Sequence, residues 1–225
     1  MIQLDERLQL AEELAGPCDT LIDVGSNHGF LPVHMLLRGQ CRRALLCDVS
    51  ADALRRARGL VELTDLTDRA QLRVTDGLCG LDPQPGDVVT ICGMGARTIA
   101  HILDRALPCP VVMQANVELN YLRRYIERVG MHITKEGIAH AAGRYYVVLR
   151  AEPGAVAPLT EQEARLGPVL LREKPPLWEG YLRWRLGVAR RALEGVRSGS
   201  DEEKLRRALE EARFVEQALQ EVERA

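Results

Sequence analysis

The chain has 225 residues, 46% of them apolar, and a formal charge of −2. That length carries one core-forming domain plus an appendage, and the near-neutral balance excludes a nonspecific nucleic-acid coat while leaving room for a local basic face. The six cysteines show no C-x-x-C and no metal-ligand spacing, which predicts reduced thiols, a cytoplasmic protein and no metal; nothing in the sequence has the pattern of a signal peptide or a membrane span.

Leu4, Leu8, Ala11, Leu14 and Ala15 fall at helical spacing and predict a leading amphipathic helix over 4–15. Strand-like apolar runs follow at 20–24, 43–48, 71–75, 87–92 and 110–114, with helical patterns at 31–38, 50–61, 96–106 and 117–129. Short apolar strands spaced by helices predict a parallel sheet with right-handed crossovers, an α/β doubly wound domain. Two runs at 131–139 and 144–151 have only Ala-Ala-Gly between them. They predict a closing antiparallel hairpin, the order of a class I (Rossmann-like) methyltransferase domain as distinct from a dinucleotide-binding one.

Glu152-Pro153-Gly154 through Pro158 reads as a linker, dividing a methyltransferase domain at 1–152 from a helical domain at 153–225. Thr160 with Glu163 makes a capping-box pattern, and Lys174-Pro175-Pro176 a turn. Leu182, Leu186, Ala189, Leu193 and Val196 form one seam; Leu205, Ala208, Ala212, Val215, Leu219 and Val222 form another. Between them Ser198-Gly199-Ser200 breaks the helix, and Ser200 with Glu203 offers a second capping box. Two matching seams predict an antiparallel helical hairpin close to a coiled coil. Seams that satisfy each other leave no apolar face over, which predicts a monomer.

The chemistry centres on Leu21-Ile22-Asp23-Val24-Gly25-Ser26-Asn27-His28-Gly29. A buried strand passes through a tight turn into a helix, a geometry that presents backbone N–H groups to a nucleotide-like ligand. The full G-x-G-x-x-G is missing, so a pyrophosphate fits poorly and a nucleoside without phosphates, such as S-adenosylmethionine, fits better. Asp48, followed by Val49, closes the second run, where a carboxylate suits two ribose hydroxyls; the plainer role is a cap for the helix starting near Ser50. Asp76-Gly77 closes the third run and can accept from an adenine amine, or serve as an ordinary turn pair. Cys92-Gly93-Met94-Gly95-Ala96 ends the fourth at the edge of the sheet. Its glycines let a substrate approach backbone groups that can read a base edge, unless the segment is only a tight turn.

Together these segments resemble the TrmK family, bacterial methyltransferases that act on N1 of the adenine at position 22 of tRNA. Asp23 through Pro32 resembles the family's opening motif, and Cys92 through Leu103 its Gly-Met-Gly-Gly segment with the following helix. Gln114-Ala115-Asn116 sits where the family carries Gln-Pro-Asn, and Gly167-Pro168 with Arg172-Glu173-Lys174 resembles its Gly-Pro and Glu-Lys landmarks. The likeness runs over essentially the whole chain. This sequence departs in carrying Asn27 for the usual Asp, Ala96 for the second glycine and Ala115 for the proline.

The resemblance implies S-adenosyl-L-methionine as cofactor, held by Asp23, Gly25, Ser26, Asp48, Val49, Asp76, Gly77 and Gly93, and an adenine pocket shaped by Asn27, His28, Gly93 and Met94. Adenine N1 has a free lone pair, so proximity, alignment and stabilisation of the moving positive charge are what the enzyme supplies. Asparagine orients the exocyclic amine through its carbonyl oxygen, where aspartate would also take a proton. His28 either shares this work or fills the turn. For the tRNA partner, Arg55 and Arg56 on one helix and Arg183, Arg190 and Arg191 on the tail are candidate phosphate contacts. The tail arginines can instead pair with Glu202, Glu203, Glu210 and Glu211 across the hairpin. Trp178, Tyr181 and Trp184 read as a packing stripe. The alternative function is a noncatalytic RNA-binding or adaptor protein that keeps the fold.

Overall fold

In the computed structural model, which describes residues 2–154, 157–196 and 202–223, the predicted strands join one seven-stranded sheet. They are β1 (Cys18–Val24), β2 (Cys41–Asp48), β3 (Ala70–Val74), β4 (Val88–Met94), β5 (Val111–Ala115), β6 (Met131–Ala141) and β7 (Arg144–Pro153). The order across the sheet is β3-β2-β1-β4-β5-β7-β6. The first five strands are parallel, and β7 runs antiparallel to both neighbours. This is the Rossmann-like methyltransferase arrangement the hairpin predicts. The chain turns back between β1 and β4, so their C-terminal ends form the switch point where open α/β sheets bind ligands. The fourth strand is therefore central; only the C-terminal rim of the sheet, not its side edge, is where Gly93 lies.

Helices α1 (Glu6–Ala15), α2 (Phe30–Leu37), α3 (Ala51–Leu63), α4 (Ala96–Ile102) and α5 (Leu119–Arg128) cover the sheet. Strand alternation splits the core into two clusters. Ile22, Val24, Ile91 and Met113 pack with Ile99, Leu122 and Ile126 of α4 and α5. Leu21, Leu46, Val88 and Val112 pack with Ala11, Leu36 and Leu54 of α1, α2 and α3. Burial on both faces explains why these strands read as unbroken apolar runs. The helix expected over 96–106 stops at Ile102, because Leu103 leaves helical geometry at ψ 65° and Pro108 and Pro110 follow.

Helices α6 (Glu161–Leu166) and α7 (Pro168–Glu173) also belong to the sheet unit, which spans Met1–Glu173; the second unit is Lys174–Ala225. The division thus falls later than the boundary expected at 152/153, and β7 extends into the expected linker. A buried ion pair explains why. Arg123 of α5 donates from Nε to Glu136 of β6 at 2.8 Å, with both side chains 0% exposed. Arg123 Nη1 also donates to the Ala164 carbonyl at 3.1 Å, and the Val169 and Leu170 amides donate to Glu136 Oε2 at 3.0 and 3.3 Å. The pair draws the α6–α7 corner onto the sheet.

Gly167 sits at that corner with φ 106°, and a Cβ there would lie 2.4 Å from Glu136 Oε2 and 2.9 Å from Arg123 Nη2. The Gly-Pro landmark so acquires a cause: room for the ion pair, then a residue pre-set for the first position of α7. Gly167→Ala is expected to cost about 2–4 kcal/mol, from backbone strain and displacement of the buried pair. Urea unfolding should show a lower midpoint at unchanged slope.

In the second unit α8 (Trp178–Val196) and α9 (Glu202–Glu223) pack together. Leu182, Leu186 and Ala189 are buried on one helix, and Ala212, Val215 and Leu219 on the other. Arg185 pairs with Glu211, and Arg190 with Glu216 at 2.8 Å. Trp178, Tyr181 and Trp184 form a row of ring contacts with centroids 6.0 and 6.4 Å apart. The expected Ser198-Gly199-Ser200 break and its capping box lie outside the described residues. Thr160 and Glu163 do form the first capping box. Among the described residues, no helix is long and apolar enough to cross a membrane.

Candidate active site

The C-terminal ends of β1, β2 and β4 open onto a cavity of about 990 Å³. Asp23, the last polar residue of β1, is 6% exposed and accepts from Ser26 Oγ at 2.5 Å and Thr90 Oγ1 at 2.6 Å. Burial pushes its carboxyl above the usual carboxylate range, and the two hydroxyl donors oppose that shift. Asp23 therefore braces the turn from within. Gly25 has φ 77°, and a Cβ there would fall 2.2 Å from Met94 Cε, so glycine lets the β1 turn and the β4 turn meet.

Three of the turn's amides are engaged inside the protein, a use the sequence did not disclose. Gly25 and Ser26 donate to the Cys47 carbonyl at 2.8 and 3.0 Å, and Asn27 donates to Asp48 Oδ2 at 3.1 Å. The left-handed glycine rotates these peptides toward the neighbouring strand β2, which consumes them.

Asp48 ends β2, half-buried. Its other oxygen accepts from the Ser50 amide at 2.9 Å. The cap of α3 is Ser50, whose hydroxyl accepts from Ala53 at 3.2 Å, so Asp48 is released from capping. Each of its oxygens keeps a further lone pair for a hydroxyl donor. Beside it Val49 is 73% exposed. Asp76 is exposed at the cavity wall, and Gly77 packs closely, its hypothetical Cβ 3.1 Å from Ile102.

Across the switch point, Gly93 has φ 80° at a β-bulge. Its amide donates to Gln114 Oε1 at 3.1 Å and its carbonyl accepts from Asn116 Nδ2 at 2.9 Å. Gln114 in turn donates to Asn116 at 3.1 Å and accepts from Arg7 Nη1 at 3.0 Å. The Gly93 peptide is thus a braced wall, with only a spare carbonyl lone pair for reading a base. Asn27 has φ 47°, and its Oδ1 accepts from Arg56 Nη2 at 3.0 Å. His28 stacks on Phe30, centroids 5.3 Å apart.

The cofactor and base residues expected from the sequence all line this one cavity, and Arg56 joins them. Arg55 does not; it pairs with Asp52 on an exposed face at 2.7 Å. Arg183, Arg190 and Arg191 lie in the second unit, where Arg183 pairs with Glu179 at 2.6 Å. Missed by sequence reasoning are Arg7, Arg144 and Tyr146, which also line the cavity. The only available signal was that Arg144 and Tyr146 are two apart on a strand. Among the described residues, no group of three or more His, Cys, Asp or Glu could hold a metal ion.

Carboxylates at the end of β2 and just beyond β3, with the Gly25, Ser26 and Asn27 amides engaged within the protein, suit a cationic, hydroxyl-bearing nucleoside. These acceptors fit the ribose hydroxyls and adenine amine of S-adenosylmethionine.

Comparison with known proteins agrees. A family profile described as TrmK, tRNA (adenine(22)-N(1))-methyltransferase, matches residues 21–220. A Bacillus subtilis (strain 168) protein named tRNA (adenine(22)-N(1))-methyltransferase is 26% identical over 231 residues, spanning 98% of this chain and 97% of its own. A Mycoplasma pneumoniae protein, named as a tRNA methyltransferase by inference, is 30% identical over 66% of this chain and 71% of its own. The crystal structure of a candidate tRNA (m1A22) methyltransferase from Streptococcus pneumoniae, in complex with S-adenosyl-L-methionine, superposes with a TM-score of 0.83 at 27% identity, over 96% of this chain and 100% of that one.

Proposed function

The chain belongs to the TrmK family of tRNA (adenine(22)-N(1))-methyltransferases, and we propose that it transfers the methyl group of S-adenosylmethionine to N1 of adenine 22 in tRNA. The observation that carries this reading is Asp48, a carboxylate free of capping duty at the end of β2, on the cavity that Met94 lines from the other side of the switch point.

When bound, S-adenosylmethionine supplies an electrophilic methyl group on a positively charged sulfur. Asp48 takes the ribose hydroxyls, Val49 offers an apolar surface to the adenine ring, and Asp76 accepts from the ring's amine. Gly25 and Gly77 keep the walls clear of side chains, while Asp23 and Ser26 hold the turn. On the substrate side, N1 attacks with its own lone pair, so no residue has to remove a proton first. Gly93 and Met94, fixed by Gln114 and Asn116, form the wall against which the base is aligned. Asn27 Oδ1 keeps one lone pair beyond the Arg56 bond and directs it to the exocyclic amine. His28, steadied by Phe30, helps seat the base. Charge that develops on the ring is stabilised by the carboxylates of the cavity.

The remaining parts of the reading concern the whole molecule. The helical tail is an antiparallel coiled-coil hairpin that helps grip tRNA, with Arg183, Arg190 and Arg191, alongside Arg55 and Arg56, meeting phosphates. The protein works as a monomer, in the cytoplasm where tRNA is found.

Methyl transfer to tRNA carrying adenine or guanine at position 22, read as N1-methyladenosine by mass spectrometry, tests the proposal. The adenine form is expected to be modified and the guanine form not. No product from the adenine form at saturating cofactor would leave the noncatalytic RNA-binding reading in its place.

A further inference from the structure

Among the described residues, the cavity's charged groups are unevenly placed, with Arg56 the one basic lining residue on the α3 side and Asp5 the one acidic lining residue on the α1 side. Asp23, Asp48 and Asp76 stand at the ends of β1 and β2 and just beyond β3, whereas Arg7, Arg144 and Tyr146 come from α1 and β7. Because β7 runs antiparallel to β5, its first residues reach the rim where the parallel strands end. Arg144 and Tyr146 are two apart and so share one face of the sheet. The next residue on that face, Val148, is buried in the cluster that contains α1, which fixes the face as the α1 side. The guanidinium carbons of Arg7 and Arg144 lie 5.8 and 5.9 Å from the Tyr146 ring centre, within reach of a cation–π attraction.

The two arginines differ in their commitments. Arg7 is tied to Gln114 at 3.0 Å and lies 3.7 Å from Asp5. Arg144 is exposed and, among the described residues, has no carboxylate partner. Adenine N1 lies on the Watson–Crick edge, so a base reaches the cavity only by leaving its stack, and its own backbone follows to the mouth. On the carboxylate side Asp48 and Asp76 oppose that backbone, and Arg56 there is engaged with Asn27 Oδ1 at 3.0 Å. The Tyr146 side attracts it, and a guanidinium fork matches a phosphodiester.

We propose that Arg144, steadied by Tyr146, binds the backbone phosphate adjacent to the target adenosine and is a substrate-positioning residue. This rests on the methyl-transfer reading above. The step involves no covalent change; it sets where the nucleotide stands.

The test compares wild type with Arg144→Ala, Arg144→Lys and Tyr146→Ala by cofactor-free tRNA binding across a salt series, by steady-state kinetics and by S-adenosylhomocysteine titration. Arg144→Ala is expected to weaken tRNA binding about tenfold and to flatten the slope of log Kd against log salt by about one. The kinetic loss should fall on KM rather than kcat, with S-adenosylhomocysteine affinity unchanged. Arg144→Lys should recover part of the affinity, and Tyr146→Ala should lose part of it. An unchanged tRNA Kd and salt slope, or an equal loss of S-adenosylhomocysteine affinity, overturns the proposal. If wild type methylates no adenine-22 tRNA yet Arg144→Ala still flattens the salt slope, the phosphate contact stands and the methyl-transfer reading falls.

Discussion

Asp48→Ala is expected to weaken S-adenosylhomocysteine binding at least tenfold, a loss of about 1.4 kcal/mol or more. The size follows from chemistry: a carboxylate meeting two hydroxyl donors makes charge-assisted hydrogen bonds, each stronger than a neutral one. A second effect acts in the same direction. Asp48 also accepts from the Asn27 and Ser50 amides, so its loss frees the turn beside the cofactor. Asp48→Asn separates the two contributions, since it keeps one acceptor and loses the charge; an intermediate affinity is expected. Calorimetric titration decides the matter. Unchanged affinity in Asp48→Ala would mean that the side chain only braces the β1 turn.

Glu136→Gln is expected to cost about 3–5 kcal/mol of stability, far more than breaking any exposed pair in the molecule. Its carboxylate faces only donors: Arg123 and the Val169 and Leu170 amides. The amide group of glutamine turns a donor toward donors and leaves the Arg123 charge buried without compensation. Replacing both partners, with Arg123→Met and Glu136→Leu, should recover much of the loss, because two apolar groups carry no desolvation cost there. By contrast, Arg206→Ala, which breaks an exposed pair with Glu210 at 3.1 Å, should change stability by no more than about 0.5 kcal/mol. Urea unfolding followed by circular dichroism measures all four proteins, and a loss below about 1 kcal/mol for Glu136→Gln would show that water reaches the pair.

The sequence made the sheet legible because its signals are local. Each parallel strand is a short apolar run, each crossover has helical period, and the missing helix between 131–139 and 144–151 marks the hairpin. The positions of Asp23, Asp48, Asp76 and Gly93 follow from the same logic, since each ends a run. What stayed hidden depends on contacts between distant segments. The amides of Gly25 and Ser26 meet Cys47 only because of the register between β1 and β2. Arg123 sits on a strongly amphipathic helix and reads as a surface residue until Glu136 and Ala164 are brought to it. For the same reason α6 and α7 read as part of the tail, although they pack on the sheet unit. Arg7 and Arg144 are far apart along the chain, and only the fold sets both beside Tyr146.

The spent amides of the first turn bear on competition among the adenosine-bearing molecules of a cell. Most of these, the adenine nucleotides and dinucleotides, carry a di- or triphosphate and depend on a row of unsatisfied peptide donors to hold it. Here the Gly25, Ser26 and Asn27 amides are already given to Cys47 and Asp48, and the carboxylates of Asp48 and Asp76 stand on the same cavity. A phosphorylated rival would lose the hydration of its anionic oxygens and receive repulsion in exchange. A pocket that offers fewer donors in this way favours a cationic ligand over its anionic look-alikes.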